Sequence, residues 1–211
     1  MTTKRHSPRV LALFVAASGL AGCDQGKLGG LIGSHLVKSS SPVNVVVVAE
    51  NTTHAATITA RIPSIGAAGT LVSPGRNGDV ETWTTPDQRA LSYRQGVLVA
   101  TRGLGFDLMA ADVSGTLAAL GHGGTYTRKM RYLNGNNQSV YLTFTCTMTV
   151  STPQNMTING VARNIASEVE TCTMGAITFT NHYWMAGSQV VKATEWIGPE
   201  LGYLTTDRNQ N

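Results

Sequence analysis

Three cysteines carry the clearest chemistry in this chain of 211 residues. Cys23 closes the segment Leu20-Ala21-Gly22-Cys23, in which small residues precede a thiol. The segment follows an uncharged apolar run, Val10–Leu20, and a basic stretch at positions 4–9. This layout is typical of a bacterial lipoprotein signal, in which the thiol receives a diacylglyceryl group and the chain is cut before the cysteine. The sequence therefore predicts lipidation of Cys23, with an ordinary secretory signal as the alternative.

The apolar run is too short to be a permanent membrane span. As a helix, eleven residues reach about 16 Å, roughly half of a hydrocarbon core. We therefore expect residues 1–22 to be a removable signal peptide. Residues 23–42 are rich in glycine and serine and are expected to form an acylated N-terminus and flexible tether. Residues 43–211 have the length of a single β-rich domain, which export would place in the periplasm.

The lipid anchor predicts a location in the cell envelope, with the domain held at a membrane by its acyl chains. The outer membrane is the favoured location. Asp24 directly follows Cys23, however, and an aspartate there is a retention signal for the inner membrane in enterobacteria, so the inner membrane is the alternative.

Cys146 and Cys172 form the remaining pair. In an oxidising compartment, two such thiols most often form a disulfide. The alternatives are free buried thiols and a metal site that includes His182, but the pair lacks the CxxC spacing of a zinc site. We expect a disulfide and no bound metal or cofactor.

The net charge argues against a nucleic-acid partner. The formal charge of the whole chain is +4. Lys4, Arg5 and Arg9 lie in the signal, which contains no acidic residue, so the mature chain would carry about +1. The apparent basicity therefore belongs mostly to the signal peptide, which removes the main compositional argument for a nucleic-acid partner.

Other candidate catalytic side chains have simpler structural explanations. Asp107 and Asp112 could act as paired carboxylates in glycoside chemistry, but a helix cap and a solvated side chain are the expected roles. Glu168 and Glu170 share one face of a strand, which we expect to be solvated. His122 stands alone among glycines and is not expected to act as a base or ligand. We predict no catalytic residue.

Trp83, Trp184 and Trp196 could stack on sugar rings, but core packing is the expected role of tryptophan in a β protein.

The elements that position these residues are predominantly strands. Val140–Val150 alternates without error, with Cys146 on the apolar face and threonines on the other. Ala56–Ile62 alternates in the same way, and Val43–Ala49 is β-branched, as in a buried strand. About nine to eleven strands are predicted in total. The pattern predicts an all-β fold, mainly an antiparallel sandwich or barrel-like sheet.

Three local features interrupt the strand pattern. Residues 106–120 have helical spacing, interrupted at Ser114-Gly115, and predict one or two short helices. Residues 73–79 are dense in turn-forming types. Gly175 lies where the alternation changes phase, which predicts a β-bulge.

Several short blocks resemble the YjbF/GfcB family of capsule and exopolysaccharide lipoproteins. The blocks are Glu170–Cys172, Phe179–Trp184, Gly187 with Val190, Glu195–Tyr203, Gly96–Leu104 and Asp107-Leu108. Met185-Ala186 and Ala193–Glu195 depart from the family's pattern, which weakens the transfer of single-residue roles.

The resemblance implies an all-β periplasmic domain without a known catalytic residue. It also implies polysaccharide-export partners such as an outer-membrane β-barrel protein, with glycan as a further candidate partner. The leading hypothesis is a lipid-anchored, non-enzymatic accessory protein in exopolysaccharide or capsule production or export. One alternative is a periplasmic binding module for a glycan or a small apolar ligand. A less favoured alternative is a glycan-modifying enzyme, which would need Asp107 or Asp112 beside a second carboxylate in a cleft.

Overall fold

Antiparallel strands form most of the described structure. The computed structural model describes residues 56–158 and 160–209, which contain thirteen strands and one short α-helix. The elements are β1 (Thr57–Ile62), β2 (Ala67–Asn77), β3 (Val80–Thr84), β4 (Ala90–Arg94), β5 (Val97–Arg102), β6 (Ala110–Asp112), α1 (Ser114–Ala119), β7 (Gly124–Leu133), β8 (Ser139–Val150), β9 (Gln154–Ile158), β10 (Val161–Met174), β11 (Ile177–Ala186), β12 (Gln189–Gly198) and β13 (Gly202–Asn209). The predicted all-β class is confirmed. The predictions for residues 1–42, including Cys23, and for the strand Val43–Ala49 concern residues outside these ranges.

The strands form one sheet that curls into a nearly closed barrel. Their order is β5-β4-β3-β2-β1-β13-β12-β11-β10-β8-β7-β6, and β9 pairs with β10 outside this path. The two ends of the path approach each other, because the N–H of Thr101 at the end of β5 donates to the carbonyl of Leu108, 2.9 Å away. The N–H of Met109 donates in turn to Arg131 of β7 at 2.8 Å. Near-closure leaves the sheet little free edge for pairing with other chains.

The period-two alternation determines which residues enter the barrel. In β8, Phe144, Cys146 and Met148 are buried, and the threonines between them are exposed, as predicted. Ile58 and Ile62 of β1 also face the core. A residue that fits this alternation therefore lies inside the barrel even when it is polar.

The helical prediction for residues 106–120 is correct only at its end. The six-residue α1 begins at Ser114, so Ser114 starts a helix instead of interrupting one. The preceding strand β6 pairs with β7. This pairing satisfies the backbone N–H and C=O groups that would otherwise bond within a helix, so it overrides the helical spacing of the apolar side chains. No helix in the described ranges is long and apolar enough to cross a membrane.

Two turn predictions also need correction. Strand β2 continues through the turn-forming residues to Asn77, with a register shift between Val72 and Gly75, and the turn comes at Gly78-Asp79. Gly175 does not form a bulge. It lies in the two-residue turn between β10 and β11, with φ of 59°, a conformation that glycine adopts without strain.

Candidate functional site

Cys146 and Cys172 lie directly opposite each other on β8 and β10 and are joined by a disulfide. Both are fully buried. One carboxylate oxygen of Glu170 lies within 4.8 Å of both sulfur atoms, so these residues have the composition of a small metal site. Metal ions bind cysteine as the thiolate, and the disulfide removes both thiolates.

The prediction that Glu168 and Glu170 face solvent is wrong. Glu168 is 1% exposed and Glu170 is 0% exposed. Both alternate in phase with Cys172, so the burial of that cysteine was the signal that places the two carboxylates inside the barrel. A buried carboxylate needs hydrogen bonds or a counter-ion, and the structure supplies both.

Glu170 is the centre of a buried group of side chains that we name the interior polar cluster. Its members are Thr116, Tyr126, Arg128, Glu170, Asn181, Tyr183 and Glu195. Arg128 donates to Glu170 Oε2 at 2.8 Å, and Asn181 donates to the same oxygen at 2.6 Å. Glu170 Oε1 accepts from Thr116 at 2.7 Å and from Tyr126 at 2.6 Å. The carboxylate is therefore surrounded by donors on both oxygens.

This arrangement keeps the central ion pair charged. Burial alone would raise the pKa of Glu170, but Arg128 and the three hydroxyl and amide donors outweigh burial and lower it. Burial likewise opposes the charge on Arg128, whereas Glu170 and other neighbours raise its pKa. Arg128 is 1% exposed. The pair is thus a buried salt bridge whose charge depends on both partners.

Glu195 has a different environment from Glu170. Its Oε1 accepts from the backbone N–H of Leu98 at 3.0 Å and lies 3.3 Å from the hydroxyl of Tyr183. That hydroxyl is also 3.2 Å from Glu170 and has only one proton to donate. Burial is the main cause that raises the pKa of Glu195 to about 7. Glu195 therefore gains a charge only near neutral pH.

The interior polar cluster connects strands on opposite sides of the barrel. Arg128 is on β7, Glu170 on β10, and Glu195 on β12 reaches the backbone of β5. Glu170 and Glu195 are at most 1% exposed, so a substrate would reach them only if the barrel opened. The arrangement holds the strands in a fixed relation and offers no accessible acid–base pair.

Replacement of Glu195 by glutamine should change how stability depends on pH. The pKa of Glu195 rises from 4.5 to about 7 on folding, so the folded state binds this proton more tightly than the unfolded state. Its contribution is fully present below pH 4.5, decreases as pH rises to about 7, and is lost above that value. Between pH 5 and 8, the wild type should lose about 2.5 kcal/mol more unfolding free energy than Glu195→Gln.

Urea unfolding of both proteins at several pH values measures this difference, because the contributions of other titrating groups cancel between them. Glu200→Gln is the matched control, since Glu200 lies exposed in the β12–β13 turn and its replacement should leave a curve parallel to that of the wild type. Parallel curves of unfolding free energy against pH for the wild type and Glu195→Gln would show that folding does not raise the pKa of Glu195.

Asp107 and Asp112 each bond to their own loop. Asp107 accepts from the hydroxyl of Thr101 and from the N–H groups of Gly103 and Leu104, at 2.9, 2.9 and 3.2 Å. Asp112 accepts from the N–H and hydroxyl of Ser114 where α1 begins. These bonds organise the loop that follows β5 and the start of the helix.

Burial raises the pKa of Glu168, and the backbone N–H of Gly121 and then His122, both in the turn after α1, only partly oppose that rise. Glu168 accepts from the N–H of Gly121 at 3.0 Å. These contacts hold the turn after α1 against β10.

The prediction that the tryptophans pack in the core is correct for two of the three. Trp83 and Trp196 are buried, and Trp196 stacks on Phe179 with ring centres 4.5 Å apart. Trp184 is only partly buried, because it alternates out of phase with the buried Tyr183. It stacks with His182 at 6.0 Å, and the Lys192 ammonium lies 5.6 Å from its ring centre.

A cavity of about 680 Å³ opens beside the hairpin formed by β1 and β2. Its inner wall includes Ala60 and Gly69, which face each other across the two strands, and Ala67. These small side chains leave the space that larger residues would fill. Leu71 and Leu204 provide apolar walls. A small molecule could enter this cavity without opening the barrel.

Sequence comparison identifies the family. A sequence model described as "Group 4 capsule polysaccharide lipoprotein gfcB, YjbF" matches residues 44–208. The chain belongs to the YjbF family. The resemblance inferred from the short blocks is therefore confirmed. The YjbF match covers every described residue except Asn209. Comparison with curated proteins finds no significant match.

A solved structure has the same fold as this YjbF-family chain. It is the crystal structure of the hypothetical lipoprotein YmcC from Escherichia coli K12, with a TM-score of 0.63 and 19% sequence identity. The alignment covers 74% of this chain and 84% of YmcC. At this identity the likeness concerns the fold alone.

Proposed function

We propose that this protein is a lipid-anchored, non-enzymatic accessory component in the production or export of capsule or exopolysaccharide. The observation that carries the proposal is the YjbF match over residues 44–208, because the family is described as capsule polysaccharide lipoproteins. The enclosed carboxylates of Glu170 and Glu195 support a non-enzymatic role, since neither is open to a substrate. The expected partners are polysaccharide-export proteins, such as an outer-membrane β-barrel protein, and glycan itself.

Deletion of the gene in its native bacterium tests this function. We expect cell-associated or secreted polysaccharide to fall, and expression of the wild-type chain to restore it. The double variant Asp107→Asn/Asp112→Asn should restore polysaccharide as well as the wild type, provided that equal protein levels are confirmed by immunoblot. Unchanged polysaccharide in the deletion strain would contradict the proposal, and failure of the well-expressed double variant would favour an enzyme.

Replacement of Cys23 by alanine tests the anchor. Cells fed an alkyne analogue of palmitate should label the wild-type protein, and Cys23→Ala should abolish the label because the thiol that receives lipid is gone. Asp24→Ser is the matched control. It should keep the label, and it should move the protein between membranes if Asp24 retains it at the inner membrane. An unlabelled wild type, or equal labelling of Cys23→Ala, would disprove the anchor.

A second candidate function is a periplasmic binding module, which the cavity beside the β1–β2 hairpin favours. Its volume of about 680 Å³ falls within the range of about 300–1,000 Å³ that is common for small-molecule sites.

A further inference from the structure

The wall of the cavity is suited to hydrocarbon. Leu71, Leu91 and Leu204 are buried side chains from three different strands, and all three line the cavity. Ala60 and Ile62 add apolar surface from β1. Polar partners for the hydroxyl groups of a glycan come only from the remaining lining residues, such as Thr70 and Thr85, whereas an alkyl chain gains free energy from contact with the aliphatic walls.

The charged residues that line the cavity favour an anion. Arg61, Arg89 and Asp87 are exposed. Arg89 pairs with Asp87 at 3.1 Å, whereas Arg61 has no ion-pair partner in the described ranges. These three residues therefore carry one net positive charge, and an arginine guanidinium binds carboxylates and phosphates well.

Two exposed apolar side chains flank the residues that line the cavity. Ile65 is 51% exposed and directly precedes Gly66, and Phe106 is 60% exposed two residues after Leu104. Asp107 holds the loop that contains Leu104 and Phe106 through three hydrogen bonds. Exposed apolar residues beside an apolar cavity are typical of a site that receives an amphiphile or faces a lipid surface.

We propose that this cavity binds an amphiphile with one hydrocarbon chain and an anionic headgroup. The chain lies between Leu71, Leu91 and Leu204, and the headgroup contacts Arg61. Such a ligand could be a free fatty acid or an anionic lipid taken from the adjoining bilayer, since both have the same two parts. The inference goes beyond the capsule role, and only the bilayer as a source of the ligand rests on the proposed lipid anchor.

Calorimetric titration of alkanoates tests the hydrocarbon part. The mature lipoprotein is placed in phosphatidylcholine nanodiscs at pH 8, and heats from empty discs are subtracted. Octanoate, nonanoate and decanoate should bind with affinity that rises about fourfold per methylene until the cavity is filled. Absence of binding, or affinity independent of chain length, would overturn the proposal.

Gly69→Phe should block the cavity from within. Gly69 does not have a positive φ, and a Cβ there would meet only the Thr85 methyl at 3.8 Å, which is an ordinary contact. Decanoate affinity should fall at least tenfold. Ala67→Leu is a second filling variant with the same expected direction. Thr143→Phe is the matched control, because it adds the same ring to an exposed position of β8, a strand that contributes no residue to the lining of the cavity, and should leave binding unchanged. Equal binding by all four proteins would overturn the site.

Arg61→Gln tests the headgroup. Decanoate affinity should fall about tenfold, the effect of losing one charge-assisted hydrogen bond, whereas affinity for decanol should not change. If the ratio of decanoate affinity to decanol affinity is the same in the wild type and the variant, anion recognition is disproved.

Discs that contain phosphatidylglycerol distinguish the two sources of the ligand, a bilayer lipid and a free amphiphile. Weaker decanoate binding in those discs would identify a bilayer lipid as the competing ligand, and equal binding would identify a free amphiphile.

Discussion

Replacement of Arg128 by methionine is expected to lower the free energy of unfolding by about 3–5 kcal/mol. Methionine fills much of the same space, so the main loss is electrostatic. Glu170 would remain in the barrel as a buried carboxylate without its counter-ion, 0% exposed. Urea unfolding of the wild type and the variant at pH 8 measures the loss.

A second substitution separates the stranded charge from lost packing. In Arg128→Met/Glu170→Gln neither charge of the central ion pair is left behind, and the amide oxygen can still accept from Thr116 and Tyr126. We expect the double variant to recover about half of the lost stability or more, as a positive coupling in a double-mutant cycle. The loss in Arg128→Met should also be smaller at pH 5, because Glu170 without Arg128 takes up a proton more readily.

Arg76→Met is the matched control for an ion pair in water. Arg76 pairs with Glu81, and the arginine side chain is 67% exposed. Loss of such a pair should cost less than about 1 kcal/mol. If Arg128→Met loses as little unfolding free energy as Arg76→Met, or if the effects of Arg128→Met and Glu170→Gln are additive, the buried ion pair does not stabilise the barrel.

The local sequence pattern was sufficient to predict which residues are buried where a long strand has one buried face. The alternation in β8 placed Phe144, Cys146 and Met148 in the core, because a single register accommodates that whole face. It failed between Phe106 and Val113, where the apolar spacing also fits a helix. Pairing of β6 with β7 determined the outcome there, and pairing partners distant in sequence cannot be identified from local spacing.

The interior polar cluster could be predicted only in part. The phase of Cys172 implies that Glu170 is buried, and a buried glutamate implies a cationic partner. Arg128 could not be chosen as that partner, because the choice depends on β8 lying between β7 and β10. The cavity depends in the same way on the register that places Ala60 opposite Gly69.

The blocks that carried the family resemblance include members of this cluster. Glu170, Asn181 and Tyr183 all lie in those blocks and are fully buried. The motifs therefore describe chiefly how the barrel interior is built, and the family assignment gives a pathway without giving a binding surface. Of the residues that line the cavity, only Leu104 belongs to those blocks, so the motifs say almost nothing about the amphiphile site.

Removal of the disulfide should have the second-largest effect on stability. The bridge joins residues 26 positions apart, and closing a loop of that length in the unfolded chain corresponds to about 3–4 kcal/mol in the chain-entropy model. Cys146→Ala/Cys172→Ala should lose about this amount in urea unfolding. Mass mapping of the unfolded, non-reduced wild type should show both thiols protected from alkylation.

Reductant provides the control for that experiment. Addition of a reductant should lower the unfolding midpoint of the wild type toward that of the double alanine variant, and it should leave the variant unchanged. The comparison isolates the covalent link from the loss of two buried sulfur atoms, because only the wild type changes its connectivity. Alkylation of both cysteines without reduction, together with a midpoint insensitive to reductant, would show that β8 and β10 are held by pairing and packing alone.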